Sequence, residues 1–419
     1  MILRTARRLA GLALAATSVV ALSGTSGALA TPNAQSALAG RLSHELAIAG
    51  SGSGAYVYDI TAGTPLFAER SSVAHPPASV EKLYTATTAL ELMGPQETLS
   101  TSVLGVGHLA AGGHWIGNLY LHGGGDPTFG SPLFVGLHYG GLGATVTRLA
   151  LEVKRAGIRS VSGNIDGDES FFDSLRGDPS SGYGADGELE GNLSALSFNR
   201  GETGNQRGAH APAAYAAYEL RGAMRAQGIA VHGGTAATAP AGAGTIASVK
   251  SPTLKQLLGL TLPPSDNYFA ETLIKDLGAR YGGAGSTAAG AAVVRRTVAR
   301  FHIHPHLVDG SGLSHSDHTS PIEVVTLLAA LAHTPLGTIL RADLAVAGHT
   351  GTLSERMRGT PASGRCQAKT GTLNGVSNLA GYCQSVGGDI LAFAFFNDGI
   401  ETGEAHTIQD SMAISLARY

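Results

Sequence analysis

Apolar residues recur along the chain in two rhythms, and each marks out short elements. Ala55-Tyr56-Val57-Tyr58-Asp59-Ile60 is an aromatic and β-branched run, Thr61-Ala62-Gly63-Thr64-Pro65 interrupts it, and Leu66-Phe67-Ala68 resumes it. That order predicts strand, turn, strand. A helix is expected next: Pro76-Pro77-Ala78 stiffens its entry, Ser79 opens it, and Val80, Leu83, Thr87 and Leu90 give a buried stripe that Gly94-Pro95 ends. A second helix follows Pro263-Pro264, with Phe269, Leu273, Ile274 and Leu277 as its stripe and Gly278 as its stop. Near the C-terminal end, Asn374-Gly375 between β-branched and apolar residues signals a hairpin.

The first apolar run does not belong to the fold. Arg4, Arg7 and Arg8 precede a stretch from Leu9 to Leu22 too short to span a bilayer comfortably, and Ala28-Leu29-Ala30 is a small-residue cleavage site. Residues 1–30 are therefore expected to be a signal peptide, leaving an exported, extracytoplasmic product that no transmembrane segment or lipidated cysteine anchors. About 390 residues remain, enough for two domains. With 14% charged and 43% hydrophobic residues and 59 glycines, the composition is that of a folded, loop-rich globular protein. Losing three leader arginines takes the net charge from -3 to -6, and a mildly acidic chain without basic runs offers no footprint for nucleic acid.

Three short motifs carry the candidate chemistry: Ser79-Val80-Glu81-Lys82, Ser265-Asp266-Asn267 and Lys369-Thr370-Gly371. Ser79 and Lys82 are three apart on a first helical turn and share a face. A serine hydroxyl is a weak nucleophile until a base takes its proton, and a lysine serves as that base only where burial and nearby positive charge lower its pKa. Alone, Ser79 reads as a helix cap and Lys82 as a solvated first-turn residue, yet a first-turn lysine opposes the helix dipole. Ser-x-Asn occurs twice, and only Ser265 precedes a helix; Ser197-Phe198-Asn199 lies in a strand-and-turn context. Gly371 in a strand lets another backbone approach, which suits a substrate lying alongside as an added strand. His302, His304 and His306 alternate beside Pro305 and read as surface positions, so neither a metal nor any other cofactor is expected.

Taken in order, the motifs resemble those of the class C low-molecular-mass penicillin-binding proteins, the D-alanyl-D-alanine carboxypeptidase/endopeptidase family. Further blocks extend the resemblance over essentially the whole chain: Leu121-His122-Gly123-Gly124-Gly125-Asp126-Pro127-Thr128, Asp309-Gly310-Ser311-Gly312-Leu313-Ser314 with Ser320-Pro321, Gly351-Thr352-Leu353-Ser354-Glu355-Arg356, and Gly381-Tyr382. His315 stands where the family usually has a basic residue. The resemblance implies an α+β fold: a transpeptidase/β-lactamase-like domain, a five-stranded antiparallel sheet flanked by helices, carrying an inserted mostly-β domain. It divides the chain into 31–94 and 247–419 for the first domain and 95–246 for the insertion, with 235–244 as the return linker.

It also implies roles. Ser79 resembles the acylated nucleophile, Lys82 its base, Ser265 the proton relay and Asn267 the positioning amide. Lys369, Thr370 and Gly371 resemble the clamp on the substrate carboxylate, and Thr372 shares the oxyanion hole with the backbone of Ser79. Asp126 either meets the free amine of a peptide side chain or bonds its own turn. The implied activity is that of a serine D-alanyl-D-alanine carboxypeptidase, with endopeptidase action on crosslinks, working on peptidoglycan stem peptides and acylated by β-lactams. A secreted serine β-lactamase and a non-catalytic wall-binding protein are the competing readings. The first would release a penicillin acyl group quickly; the second would never form one.

Cys366 and Cys383 are the only cysteines. If Asn374-Gly375 is a two-residue turn, facing residues have numbers that sum to 749, and these two do. They would form a non-hydrogen-bonded pair whose spacing a disulfide accepts. A longer loop would instead leave two buried thiols.

Overall fold

The computed structural model describes residues 32–185, 187–201 and 210–419; the leader and cleavage site expected from the sequence lie outside them. After a helix over Pro32–Ala49, strands β1 (Ser53–Asp59) and β2 (Thr64–Glu69) form the expected hairpin. Pro65, which has no N–H for a ladder, sits in β2 at the edge of the sheet. A 3₁₀ turn over Ala78–Glu81 leads into the helix Lys82–Leu92, and Gly94 in the left-handed region closes it.

The chain then leaves the first sheet. Strands β3 (Thr98–Ala110), β4 (His114–Gly123), β5 (Ser160–Val161), β6 (Ile165–Asp168) and β7 (Gly244–Thr253) form a second sheet, with β3 between β4 and β7 and both short strands parallel to β4. The last strand runs to Thr253, past the 246 that the resemblance implies, because Thr253 pairs with Thr98 at the start of the insertion. The chain crosses between the sheets at one place: Leu254 N–H donates to Glu97 O (2.8 Å) and Lys255 N–H to Pro95 O (3.0 Å). Helices Val146–Arg155 and Pro212–Ala226 cover one face of this sheet with Leu149, Val153, Ala216, Leu220 and Met224. A sheet with one apolar face needs such a cover, so the insertion is less purely β than its glycine-rich sequence suggested.

Back in the first sheet, β8 (Ala345–Val346), β9 (Cys366–Leu373), β10 (Val376–Gln384) and β11 (Ile390–Asp398) complete an antiparallel order β2-β1-β11-β10-β9-β8. Five of these are the expected strands; β8 adds two residues at the edge. Strand β11 shows why the sheet is a middle layer. Leu391, Phe393 and Phe395 pack toward the helices Pro32–Ala49 and Thr402–Ala417, while Ala392, Ala394 and Phe396 pack toward those on the other side. Alternating residues bury both faces, so the strand reads as a continuous apolar run.

The Ser265–Asn267 motif opens the helix Asn267–Tyr281, which does not stop at Gly278 as the sequence suggested. A Cβ there would lie 2.7 Å from the carbonyl oxygens of Ala284 and Ser286 and 2.8 Å from Gly290 N. This glycine permits close packing of the next segment; it does not end the helix.

The β9–β10 register follows the turn: Leu373 faces Val376, Lys369 faces Ala380, and Cys366 faces Cys383. The two cysteines are bonded, their α carbons 4.0 Å apart. Because a one-residue slip would turn Lys369 and Thr370 to opposite faces, pinning the open end of the hairpin protects the site. Mass spectrometry after alkylation without reductant is expected to recover the two cysteines as one linked species. A C366A/C383A variant should lose roughly 3 kcal/mol of unfolding free energy in urea; two separately alkylated thiols would remove the bridge.

Candidate active site

Ser79 sits on the 3₁₀ turn, half-buried, directly after Ala78, whose φ of 47° is left-handed. Two glycines let other segments reach that turn. A Cβ on Gly312 would lie 1.9 Å from Ala78 O, and one on Gly371 would lie 2.5 Å from Pro77 O and 3.2 Å from Ser79 N. Strand β9 therefore brings its backbone beside the backbone amide of Ser79.

Lys82 is 1% exposed. Its Nζ donates to Ser79 Oγ (2.7 Å), Asn267 Oδ1 (2.7 Å) and Ser311 O (2.8 Å). An ammonium has three donors, so this set uses all of them. Burial lowers its pKa to about 8, against the opposing pull of Glu81, Asp309, Glu271 and Asp266. A lysine in that range offers a substantial free-amine fraction near neutral pH within hydrogen-bond reach of a hydroxyl.

Ser265 has φ 68°, an uncommon conformation for a side-chain-bearing residue. Its Oγ accepts from Lys369 Nζ (2.8 Å), which also donates to Thr370 O (2.8 Å). Lys369 is buried, and desolvation, then the neighbouring Lys82, hold its pKa well below the usual lysine range. Thr370 Oγ1 donates to Thr352 Oγ1 (2.8 Å). Asn267 bridges outward: its Nδ2 donates to Glu188 O (2.8 Å) of the insertion. The structure thus brings together Ser79, Lys82, Ser265, Asn267, Lys369, Thr370 and Gly371, and Thr372 follows exposed at the cleft end of β9.

The Asp309–Ser314 block acts through its backbone. Glu271 Oε1 accepts from Gly310 N and Ser311 N (2.8 Å each), and Asp309 accepts from Gly312 N (2.6 Å) and Ser314 N (2.7 Å), so the loop's Ser311 carbonyl is aimed at Lys82. Burial pushes Glu271 up to about 8 and Asp317 up to about 7, and raises Glu81 and Asp309 too. No pattern in the sequence points to a function for Ser311, Glu271, Thr352 or the Glu188 carbonyl. Only the first and third of these lie in a recognisable block. Ser197-Phe198-Asn199 is structural: Asn199 Oδ1 accepts from Ser131 N (2.8 Å) and Ser197 Oγ donates to Asn192 O (2.9 Å), and the segment is loop and 3₁₀ turn with no strand. His302, His304, His306 and His315 are all exposed.

The chain matches the model of the D-Ala-D-Ala carboxypeptidase 3 (S13) family over residues 34–186 and 186–419. It is 29% identical to the D-alanyl-D-alanine carboxypeptidase of Actinomadura sp. (strain R39), over 89% of this chain and 82% of that one. Among solved structures it superposes on penicillin binding protein 4 (dacB) of Haemophilus influenzae with a TM-score of 0.77 at 22% identity, covering 90% of this chain and 99% of the other. A complex of that protein with a β-lactam superposes with a TM-score of 0.71 at 21% identity, covering 88% and 97%.

Asp126 stands apart from the catalytic group. It is buried, and its Oδ1 accepts from Thr128 N (2.8 Å) and Thr128 Oγ1 (2.6 Å), so it bonds its own turn. Its neighbour is Asp276, whose Oδ1 lies 2.3 Å from where a Cβ on Gly125 would be. Of the two readings open from the sequence, the structure shows the turn-bonding one, with Asp126 packed between the insertion and the Asn267–Tyr281 helix. Burial raises Asp126 from 3.8 to about 6, so the folded state holds its proton more tightly than the unfolded state. Stability is then greatest at low pH and declines as pH rises toward about 6. Asp126→Asn removes that loss. Thermal melts should show the variant gaining on the wild type between about pH 4 and 6, by up to about 3 kcal/mol. A difference independent of pH would refute the burial argument.

Proposed function

Because the chain belongs to the D-Ala-D-Ala carboxypeptidase 3 (S13) family, we propose the following mechanism for its serine DD-peptidase activity on peptidoglycan stem peptides. Ser79 is the nucleophile. Lys82, dry and in its neutral form, keeps donating to Asn267 Oδ1 and Ser311 O and turns its lone pair on Ser79 Oγ, taking the hydroxyl proton as Oγ attacks the carbonyl of the penultimate D-alanine. The developing oxyanion lies between the backbone N–H groups of Ser79 and Thr372, each such donor being worth about 3 kcal/mol in the transition state. Ser265, bonded to Lys369, returns a proton to the leaving amine. Lys369 and Thr370 hold the terminal carboxylate. Asn267 orients the peptide while accepting from Lys82. Water then cleaves the acyl-enzyme.

The observation that carries this reading is the 2.7 Å contact between the buried Lys82 amine and Ser79 Oγ. The same serine would open a β-lactam ring, and the relative solved with a β-lactam bound supports that. Endopeptidase action needs only a crosslinked amine in place of free D-alanine as the leaving group. The insertion spans 95–246, with its last strand continuing to Thr253. Among the described residues no single helix is long and apolar enough to cross a membrane, and a peptidoglycan substrate supports a location outside the cytoplasmic membrane.

Ser79→Ala should keep its melting temperature and lose covalent labelling by fluorescent penicillin. Lys82→Arg should lower labelling and D-alanine release by at least about 10³-fold, because a guanidinium stays protonated. Undiminished labelling of the Ser79→Ala protein would sink the assignment.

A further inference from the structure

Arg200 belongs to the insertion, yet its guanidinium ends inside the second catalytic motif. The residue has a left-handed φ of 57°, and its side chain is 9% exposed. Nη2 donates to Asp266 Oδ2, Nε to Tyr139 OH (2.9 Å), and Nη1 reaches the exposed Glu190 (3.5 Å). The guanidinium carbon lies 5.3 Å from the ring centroids of Tyr268 and Phe269 and 5.6 Å from that of Tyr139. Three aromatic faces and a carboxylate form a cage suited to a planar fork and poorly suited to an ammonium.

Asp266 is gripped from both sides. Its Oδ2 takes the guanidinium, and its Oδ1 accepts from Phe269 N (2.9 Å) as the helix cap. It sits between the two side chains that matter, Ser265 in its left-handed conformation and Asn267 on Lys82. Its charge also counts. The groups acting on Lys82 are Glu81 on the same turn, Asp309 from the loop beneath, Glu271 and Asp266 from the second helix and its cap, and Lys369 from β9.

We propose that Arg200 is the positioning residue of the second motif: by gripping Asp266 it holds Ser265 and Asn267 toward the cleft and screens part of the carboxylate's pull on Lys82. This rests on the DD-peptidase reading, and makes the insertion part of the catalytic apparatus.

The test is the rate of covalent labelling of the full chain by fluorescent penicillin from about pH 5 to 10, with a thermal melt of each variant. A wild type that fails to label overturns the peptidase reading and leaves Arg200 out of account. Given labelling, Arg200→Gln should cut the neutral-pH rate about tenfold or more and move the acidic limb to higher pH, since an uncancelled carboxylate favours the charged lysine. Asp266→Asn alone should move the limb to lower pH. The double variant R200Q/D266N should return the limb toward the wild-type position with the rate still reduced. Arg200→Lys keeps the charge and loses the fork, so the rate should fall while the limb stays. A purely structural role would lower rates without these opposed displacements. A limb unmoved in both single variants, or moved by Arg200→Gln and not reversed by Asp266→Asn, overturns the proposal. Should Arg200→Gln fail to fold, Asp266→Asn decides alone: an unmoved limb refutes it.

Discussion

A proton can leave a serine for a lysine at neutral pH only where water cannot hold the lysine's charge, and most of this architecture serves to keep one amine dry. Lys82 is held by the Asp309–Ser314 loop and by the second motif, while β9 presses on the Ala78–Ser79 turn that carries it. Each covering segment comes from a different part of the chain. Gly312 and Gly371 mark where two of them press on the Ala78 turn, at distances that no Cβ would allow. Carboxylates packed below the site oppose the effect of burial, so the amine's affinity for protons is a balance of desolvation against Glu81, Asp309, Glu271 and Asp266. Covering groups that supply acceptors as well as shelter let the amine be buried without an unmet donor.

The second helix shows how the insertion enters that balance. Every residue from Tyr268 to Gly278 is buried, which an amphipathic helix on a protein surface cannot be. Its inner side packs on the core with Leu273, Ile274 and Leu277. Its other side meets the insertion: Tyr268 and Phe269 join a cluster with Tyr139, Leu189 and Leu193, and the buried Lys275 donates to Asp173 Oδ1 (2.6 Å). A helix wedged between two bodies gives its N-terminal serine and asparagine little freedom.

What the sequence made legible was local. Ser79 and Lys82 share a turn by helical spacing, and the β9–β10 register follows from a two-residue turn and period-two alternation, which is why the cysteine pair could be deduced by counting. Contacts across the domain boundary have no such rule. Arg200 and Asp266 lie 66 residues apart with no pattern joining them, and the Glu188 carbonyl is invisible in any motif. Gly278 looked like a stop because a glycine's two uses, ending a helix and admitting a neighbour, are identical in sequence. Asp126 stayed ambiguous for a related reason: a turn carboxylate reads alike whether it faces solvent or a second buried carboxylate.

Strand β1 is hydrogen-bonded to β11, Ser53 facing Asn397 and Asp59 facing Leu391, so the central sheet closes only between the two ends of the described chain. Two of Lys82's acceptors arrive 185 and 229 residues after it. Until they do, Ser79 and Lys82 stand together on an early turn in water, the amine at an ordinary lysine pKa near 10.4 and charged, and the pair is inert. Pairings so distant in sequence form late and slowly. Reactivity is therefore withheld from every incomplete chain, and this carboxypeptidase acquires its chemistry only by finishing its fold.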